Sequence, residues 1–255
     1  MFAKLIWCFA AMTLGLNPSN IVDGHQIDEA ASVTVVKDSE PSPSLQEVGL
    51  KDKKQRSNSR KSAVSVITAA GSGSGTYFKI GSHYIVITAH HVVEGQDIVI
   101  VLGRNNEQVY AQPILKTTKG DIAVLLVPKM SSRVPMKLKM LSKKDKPDVE
   151  SLVGKEVTYT GFPAHHDLLT VDGKIATVND HGYIIMHSYG WPGASGSGVF
   201  DFKGRFIGVV SAVDLGQWSP WVPPAIVEDM VWVSPSWDLS AKDVEHYIEN
   251  RGAPK

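Results

Sequence analysis

From Ser62 onward the chain is written in short, apolar, β-branched segments separated by Gly, Asn and Asp, which restricts it to a fold of many short strands. Segments 63–68, 76–80, 84–88, 97–102, 109–117 and 122–128 form one group. A break carrying Lys143, Lys144, Lys146 and Pro147 follows, and segments 156–161, 168–179, 183–187, 198–201 and 206–213 form a second. Regular spacing of such strands argues for an all-β barrel or sandwich, and two groups split by a polar connector argue for two six-stranded antiparallel barrels. We place the first barrel at 62–142 and the second at 143–238. Helical periodicity is confined to 239–255, where Ser240 followed by Asp243 resembles a capping box opening a helix that ends at Gly252. The run Gly71-Ser72-Gly73-Ser74-Gly75 has the look of a phosphate cradle, but no Lys-Ser/Thr and no helix follow it, so it reads as a turn between strands.

The formal net charge is zero and the isoelectric point is about 7.1, so the chain has no overall field for capturing nucleic acid. Its single cysteine, Cys8, lies in an apolar N-terminal stretch. Removal of that stretch leaves no means of building a disulfide framework or a cysteine-based metal site. In residues 1–16, Lys4 precedes an uncharged run from Leu5 to Leu16, short for a bilayer span but of signal-peptide length, with Thr13-Leu14-Gly15 as a poorly defined cleavage site. A cleaved signal, an uncleaved anchor acting through residues 5–16 and an ordinary apolar N-terminus all stay open; the first implies a secreted or periplasmic protein. Residues 17–61 are polar, with a short strand candidate at Val33–Val36, Pro41-Ser42-Pro43-Ser44, and a basic run from Lys51 to Lys61 without interleaved aromatics. They read as a mobile, solvated tether.

Three clusters carry chemistry: Thr88-Ala89-His90-His91, Gly120-Asp121-Ile122-Ala123 and Gly193-Ala194-Ser195-Gly196. A hydroxyl is a poor nucleophile until a base takes its proton, and a carboxylate that fixes the tautomer improves the base. Histidine suits the middle role because it titrates near neutrality. A glycine before the serine lets two backbone amides converge on a developing oxyanion. The competing Gly-x-Ser-x-Gly elbow of the α/β-hydrolases does not fit, because its second glycine is displaced to Gly196 and only His246 follows the serine.

The order and flanks of these clusters resemble the trypsin-like, chymotrypsin-fold serine proteases over 62–213. The resemblance implies a chymotrypsin-like pair of barrels, His91 as the general base, Asp121 as its orienting acid and Ser195 as the nucleophile. It assigns the oxyanion hole to Gly193 and Ser195. His90 falls where the family has small residues, so it reads as a spacer. Tyr189 and Gly190, together with Ser188, would form one wall of the primary pocket. Ser211, Ala212 and Val213 would form another and pair with substrate backbone. No carboxylate stands where Lys/Arg selection needs one, and Val210 occupies the place of a histidine used by glutamyl and viral enzymes. His187 is close but one wall away. A neutral pocket for a small or aliphatic side chain is expected, with a protein or peptide substrate, no nucleic acid, and no metal or cofactor.

The chain departs from disulfide-bonded digestive members. Ala194 stands where zymogens carry the Asp that pairs with a freed N-terminus, and Ile21-Val22-Asp23-Gly24 lies too far upstream of His91 to serve as an activation sequence. The closer resemblance is to bacterial HtrA or glutamyl-endopeptidase types, or to viral enzymes that process a polyprotein. The stretch after Val213 is too short for the PDZ domain of HtrA proteins. A catalytically silent, protease-like binding module is the alternative from another class. Trp218, Trp221, Trp232 and Trp237 are expected to cover the second barrel and anchor the last helix. His165-His166-Asp167 reads as a surface loop rather than a metal site. The sequence does not specify an oligomeric state.

Overall fold

Alternation within single strands sorts the side chains into separate cores. In β3 (His83–Ala89), Val86 joins the interior of one barrel while Ile85 and Ile87 face the opposite way, into a different cluster. That is the period-two consequence of a pleated strand. The computed structural model describes residues 43–117, 120–140, 149–165, 167–216, 221 and 223–251, all within the unit Pro41–Lys255. The readings made for residues 1–42, for Lys143, Lys144, Lys146 and Pro147, for His166 and Trp218, and for the helix end at Gly252 lie outside the described residues.

The first barrel comprises β1 (Ala63–Thr68), β2 (Gly71–Ile80), β3, β4 (Val99–Leu102), β5 (Gln108–Lys116) and β6 (Ile122–Val127). They run in the order β1-β4-β5-β6-β3-β2, and β2 closes antiparallel onto β1. A two-residue strand, β7 (Met136–Lys137), adds in parallel to β2. A helical turn, α2 (Val149–Leu152), precedes the second barrel. Its strands are β8 (Glu156–Gly161), β9 (Leu169–Val178), β10 (Ile184–Ser188), β11 (Gly198–Asp201), β12 (Phe206–Gly216) and β13 (Ala225–Pro235), closed in the order β10-β13-β12-β11-β8-β9. The fold is thus the expected pair of six-stranded antiparallel barrels followed by a short helix, α3 (Ala241–Arg251), whose Val244 and Asp243 amides are capped by the Ser240 carbonyl and hydroxyl.

Each barrel has its own filling. Val64, Val66, Tyr77, Val86, Val101 and Leu125 pack the first. Val157, Tyr159, Ile175, Met186, Val199, Val231 and Val233 pack the second, with Trp237 against them. A third cluster joins the two: Phe78, Ile85, Ile87 and Ile122 meet Phe200, Phe206 and Val209, and Leu239, Val244 and Ile248 cover them from the C-terminal end. The Phe78 and Phe206 rings meet edge-on at 5.4 Å, an arrangement their quadrupoles favour. Burial of this seam fixes the relative placement of the barrel ends that carry the site.

Three expectations are corrected. Pro43–Ser62, assigned to a mobile tether, is a helix, α1. It is held by buried Gln55 and Ser59, the latter hydrogen-bonded to Thr160 at 2.9 Å, and by Arg56, which pairs with Asp52 and with Asp172 of β9. Arg104 and Arg133 donate to the Arg60 carbonyl near the helix C-terminus, where cations are favoured. The glycine–serine run is not a turn but the first half of β2, paired with β1 from Gly71 onward. Finally, β13 was not anticipated. Its first half is exposed and Glu228-Asp229 interrupt it where the register with β12 shifts between Val213 and Asp214, so only its last residues show a buried pattern. Of the tryptophans, Trp237 is buried and Trp232 packs on Tyr183 at 5.6 Å, but Trp221 is 93% exposed.

Candidate active site

Strand register brings two of the expected residues together. Ala89, the last residue of β3, pairs with Ile122, the first of β6, so His90-His91 and Asp121 emerge side by side at the same end of the first barrel. The histidines enter a single 3-10 turn, His90–Val92. The His90 amide donates to the Asp121 carbonyl at 3.2 Å, and the His91 amide donates to Asp121 Oδ1 at 2.8 Å. His91 Nδ1 lies 2.6 Å from Asp121 Oδ2, with side-chain exposures of 21% and 16%. A carboxylate accepting from Nδ1 selects the tautomer in which Nε2 carries the lone pair. The His90 ring makes no such contact, and its Nε2 is buried without a partner among the described residues.

The second barrel supports Asp121 from behind. Its amide donates to Ser234 Oγ at 2.9 Å, and Ser211 Oγ donates to the same oxygen at 2.9 Å. Tyr183 lies close by; burial first, and then the nearby Asp121 charge, raise its phenol above the usual tyrosine value. Ser234, fully buried on β13, had no signal in the sequence beyond a polar residue in an apolar run.

Ser195 sits at the junction of two overlapping turns. Ala194 N donates to Trp191 O at 3.0 Å and Ser197 N to Ala194 O at 2.9 Å. Pro192 and Gly193, with φ +96° at the glycine, match positions i+1 and i+2 of a type II turn. Pro192 O accepts from Ala164 N at 2.7 Å. Because a trans peptide points its N–H opposite to its C=O, the Gly193 amide faces away from Ala164. Among the described residues neither the Gly193 amide nor the Ser195 amide donates to a protein acceptor. Gly196, with φ +87°, is packed so closely that a Cβ would lie 2.1 Å from Ser74 O and 2.2 Å from Thr88 Oγ1. Thr88 is three residues before His91 on β3, so the serine turn lies directly against the strand that carries the histidine. The Ser195 carbonyl accepts from Ser74 N at 2.7 Å.

The expected pocket residues are adjacent. Tyr159, its phenol raised by burial, donates its hydroxyl to Tyr189 O at 2.6 Å, and Gly190 N donates to Glu228 O at 2.6 Å. A Cβ at Gly190 would stand 2.6 Å from Val213 Cγ1, so this wall touches the other only because it is glycine. Ala212 and Val213 pair with Trp232 and Val231 on one edge of β12. On its other edge β12 is paired to β11 no further than Val209, leaving 211–216 without a strand partner among the described residues. Ser211 is 2% exposed and its hydroxyl turns to Ser234, so it presents no side chain on that edge. His187 faces Asp229 on the surface at 3.3 Å. No three His, Cys, Asp or Glu side chains among the described residues are grouped as a metal would require.

The trypsin-like peptidase domain family matches residues 73–209. Among solved structures, the inactive form of the Ser343Ala mutant of Rv3671c from M. tuberculosis H37Rv shares the fold at TM-score 0.55 and 18% identity, covering 87% of this chain and 98% of that one. The serine endoprotease from Yersinia pestis matches at TM-score 0.56 and 19% identity over 78% and 67% of the two chains. The HtrA-type protease AlgW in complex with a tripeptide matches at 0.58 and 20% over 78% and 64%. Curated protein sequences give no match.

Proposed function

The chain belongs to the trypsin-like peptidase domain family and is a serine endopeptidase, and from that premise we propose that His91, Asp121 and Ser195 are its catalytic residues. The observation that carries this reading is the 2.6 Å pairing of His91 Nδ1 with Asp121 Oδ2, made by a carboxylate that also accepts from the His91 amide. With Nδ1–H so engaged, Nε2 takes the Ser195 hydroxyl proton as Oγ attacks the scissile carbonyl. Asp121 stabilises the imidazolium through that hydrogen bond. The Gly193 and Ser195 amides receive the oxyanion; losing one such donor costs about 3 kcal/mol of transition-state stabilisation in comparable sites. Imidazolium Nε2–H then returns its proton to the leaving amine, and water releases the acyl group from Ser195 by the same route.

The unpaired edge of β12 at 211–216 supports binding of the substrate as an added strand. The side chain before the scissile bond then meets Tyr189-Gly190 and Ala212-Val213, whose contact at Gly190 and Val213 narrows the space between them. Those walls are uncharged, which favours a small or aliphatic residue. Ala194 is 1% exposed in the apolar filling of the second barrel, which supports a site assembled without an ion pair from a newly freed N-terminus.

A fluorophosphonate probe tests the reading. Wild type labels and Ser195→Ala does not; His91→Ala loses labelling and His90→Ala keeps it. A folded wild type that stays unlabelled beside a reacting control protease overturns it, and loss confined to His90→Ala moves the base.

A further inference from the structure

The glycine–serine run at the start of β2 holds one residue whose every polar atom is engaged. Ser74 is fully buried. Its hydroxyl donates to Gly193 O at 2.7 Å and accepts from Phe162 N at 2.9 Å. Its amide donates to Ser195 O at 2.7 Å, and its carbonyl accepts from Thr88 Oγ1 at 2.7 Å. Three of these four partners are backbone atoms of the second barrel, and two are the carbonyls on either side of Ala194. We propose that Ser74 is the positioning residue for the oxyanion turn, a first-barrel clamp that keeps the Gly193 and Ser195 amides aimed at the reacting carbonyl; this rests on the catalytic reading above.

The turn needs such a clamp. Glycine at position 193 leaves the backbone free to exchange a type II turn for a type I turn, which rotates the Pro192–Gly193 peptide and would point a carbonyl where the amide now points. The Ala164 N–H resists that rotation at Pro192 O, and the Ser74 hydroxyl resists it on the other side of Gly193. The neighbourhood is cut to fit the hydroxyl: a Cβ at Gly161 would come within 2.7 Å of Ser74 Oγ. Thr88, which holds Ser74 O, lies on the strand leading to His91, so the clamp also sets the distance between the base and the turn.

The test replaces Ser74 and separates ground-state from transition-state binding. In Ser74→Ala we expect kcat to fall about 10- to 100-fold with KM within about twofold of wild type. Affinity for a peptide boronate, which forms a tetrahedral adduct on Ser195, falls in parallel. Affinity for a substrate peptide, measured in the Ser195→Ala background, does not. Should Ser74→Ala fail to fold, Ser74→Cys keeps the size with a poorer hydrogen-bonding group and is expected to lose kcat and boronate affinity together. A folded variant with kcat and boronate affinity within twofold of wild type overturns the proposal, and so does a loss confined to KM. Failure of the catalytic reading itself looks different: wild type then forms no boronate adduct, or Ser195→Ala stays active.

Discussion

The two halves of the site are held together by different means. His91 and Asp121 lie on one barrel, placed by the pairing of Ala89 with Ile122, and their contact is between side chains. The Ser195 turn belongs to the other barrel and is held almost wholly through backbone carbonyls. Each half is also gripped by a buried serine of the opposite barrel, Ser234 at the Asp121 amide and Ser74 at the turn. The first half is therefore sensitive to chemistry and the second to conformation. Substitutions should separate the two.

The largest effect is expected from Asp121→Asn. With its oxygen kept by the His91 amide, the asparagine turns its NH2 toward Nδ1 and favours the wrong tautomer, so kcat should fall about 10⁴-fold while the fold is retained. Steady-state kinetics beside circular dichroism check it; a fall below tenfold would mean that the pair is structural. Gly196→Ala should do the reverse and act on the fold. A side chain at φ +87° meets Ser74 O and Thr88 Oγ1; Ser74 O cannot retreat without opening β2, and Thr88 Oγ1 cannot without losing its hydrogen bond to Ser74 O. We expect roughly 3 kcal/mol or more of destabilisation, read from denaturant midpoints, with fluorophosphonate labelling lost even where the protein stays folded.

Ser234→Ala comes next. It leaves the Asp121 amide and the Ser211 hydroxyl buried without their acceptor, at a cost of about 1–3 kcal/mol in stability. It should lower kcat about tenfold at unchanged KM, less than Asp121→Asn because the carboxylate still meets His91. Equal losses in the two variants would place the weight of the acid–base half on the second barrel rather than on the β3–β6 register.

What the sequence could and could not convey follows the same division. Local signals mark the barrels and the three catalytic candidates, because strand alternation and short flanking motifs are properties of neighbouring residues. The clamps are not local. Ser74 and Ser234 act on atoms more than a hundred residues away, as Ser74 to Gly193 and Ser234 to Asp121 show. Ser74 did carry a faint mark, since glycines within a strand indicate a close approach of another backbone. Taking that run as a turn hid both the beginning of β2 and its most engaged residue. The helix α1 was obscured for a related reason. Its sequence is polar, and what holds it are contacts to β8 and β9 rather than an apolar stripe. The second half of β13 is legible in retrospect, but the carboxylates at 228 and 229 sit in its register shift and break the alternation that would have announced it.

The smallest effect should come from a carboxylate that stabilises the first barrel without touching either half of the site. Glu107 accepts from the amides and hydroxyls of both Ser131 and Ser132. Partial desolvation pushes its carboxyl up, but those four hydrogen bonds outweigh it and bring the pKa down to about 2. A carboxyl whose folded pKa is depressed stabilises the protein fully above its unfolded pKa, and loses that contribution as pH falls through the folded value. Glu107→Gln should therefore lower Tm by about 2–4 °C at neutral pH. The gap to wild type should narrow below pH 4.5 and vanish near pH 2, the window bounded by the ordinary and depressed values. Its kcat should match wild type, because stabilising the first barrel is not the same as aligning Asp121 within it. A pH-independent gap would show that packing rather than charge is at stake, and a loss of kcat would show that the β4–β5 connection reaches the acid–base half after all.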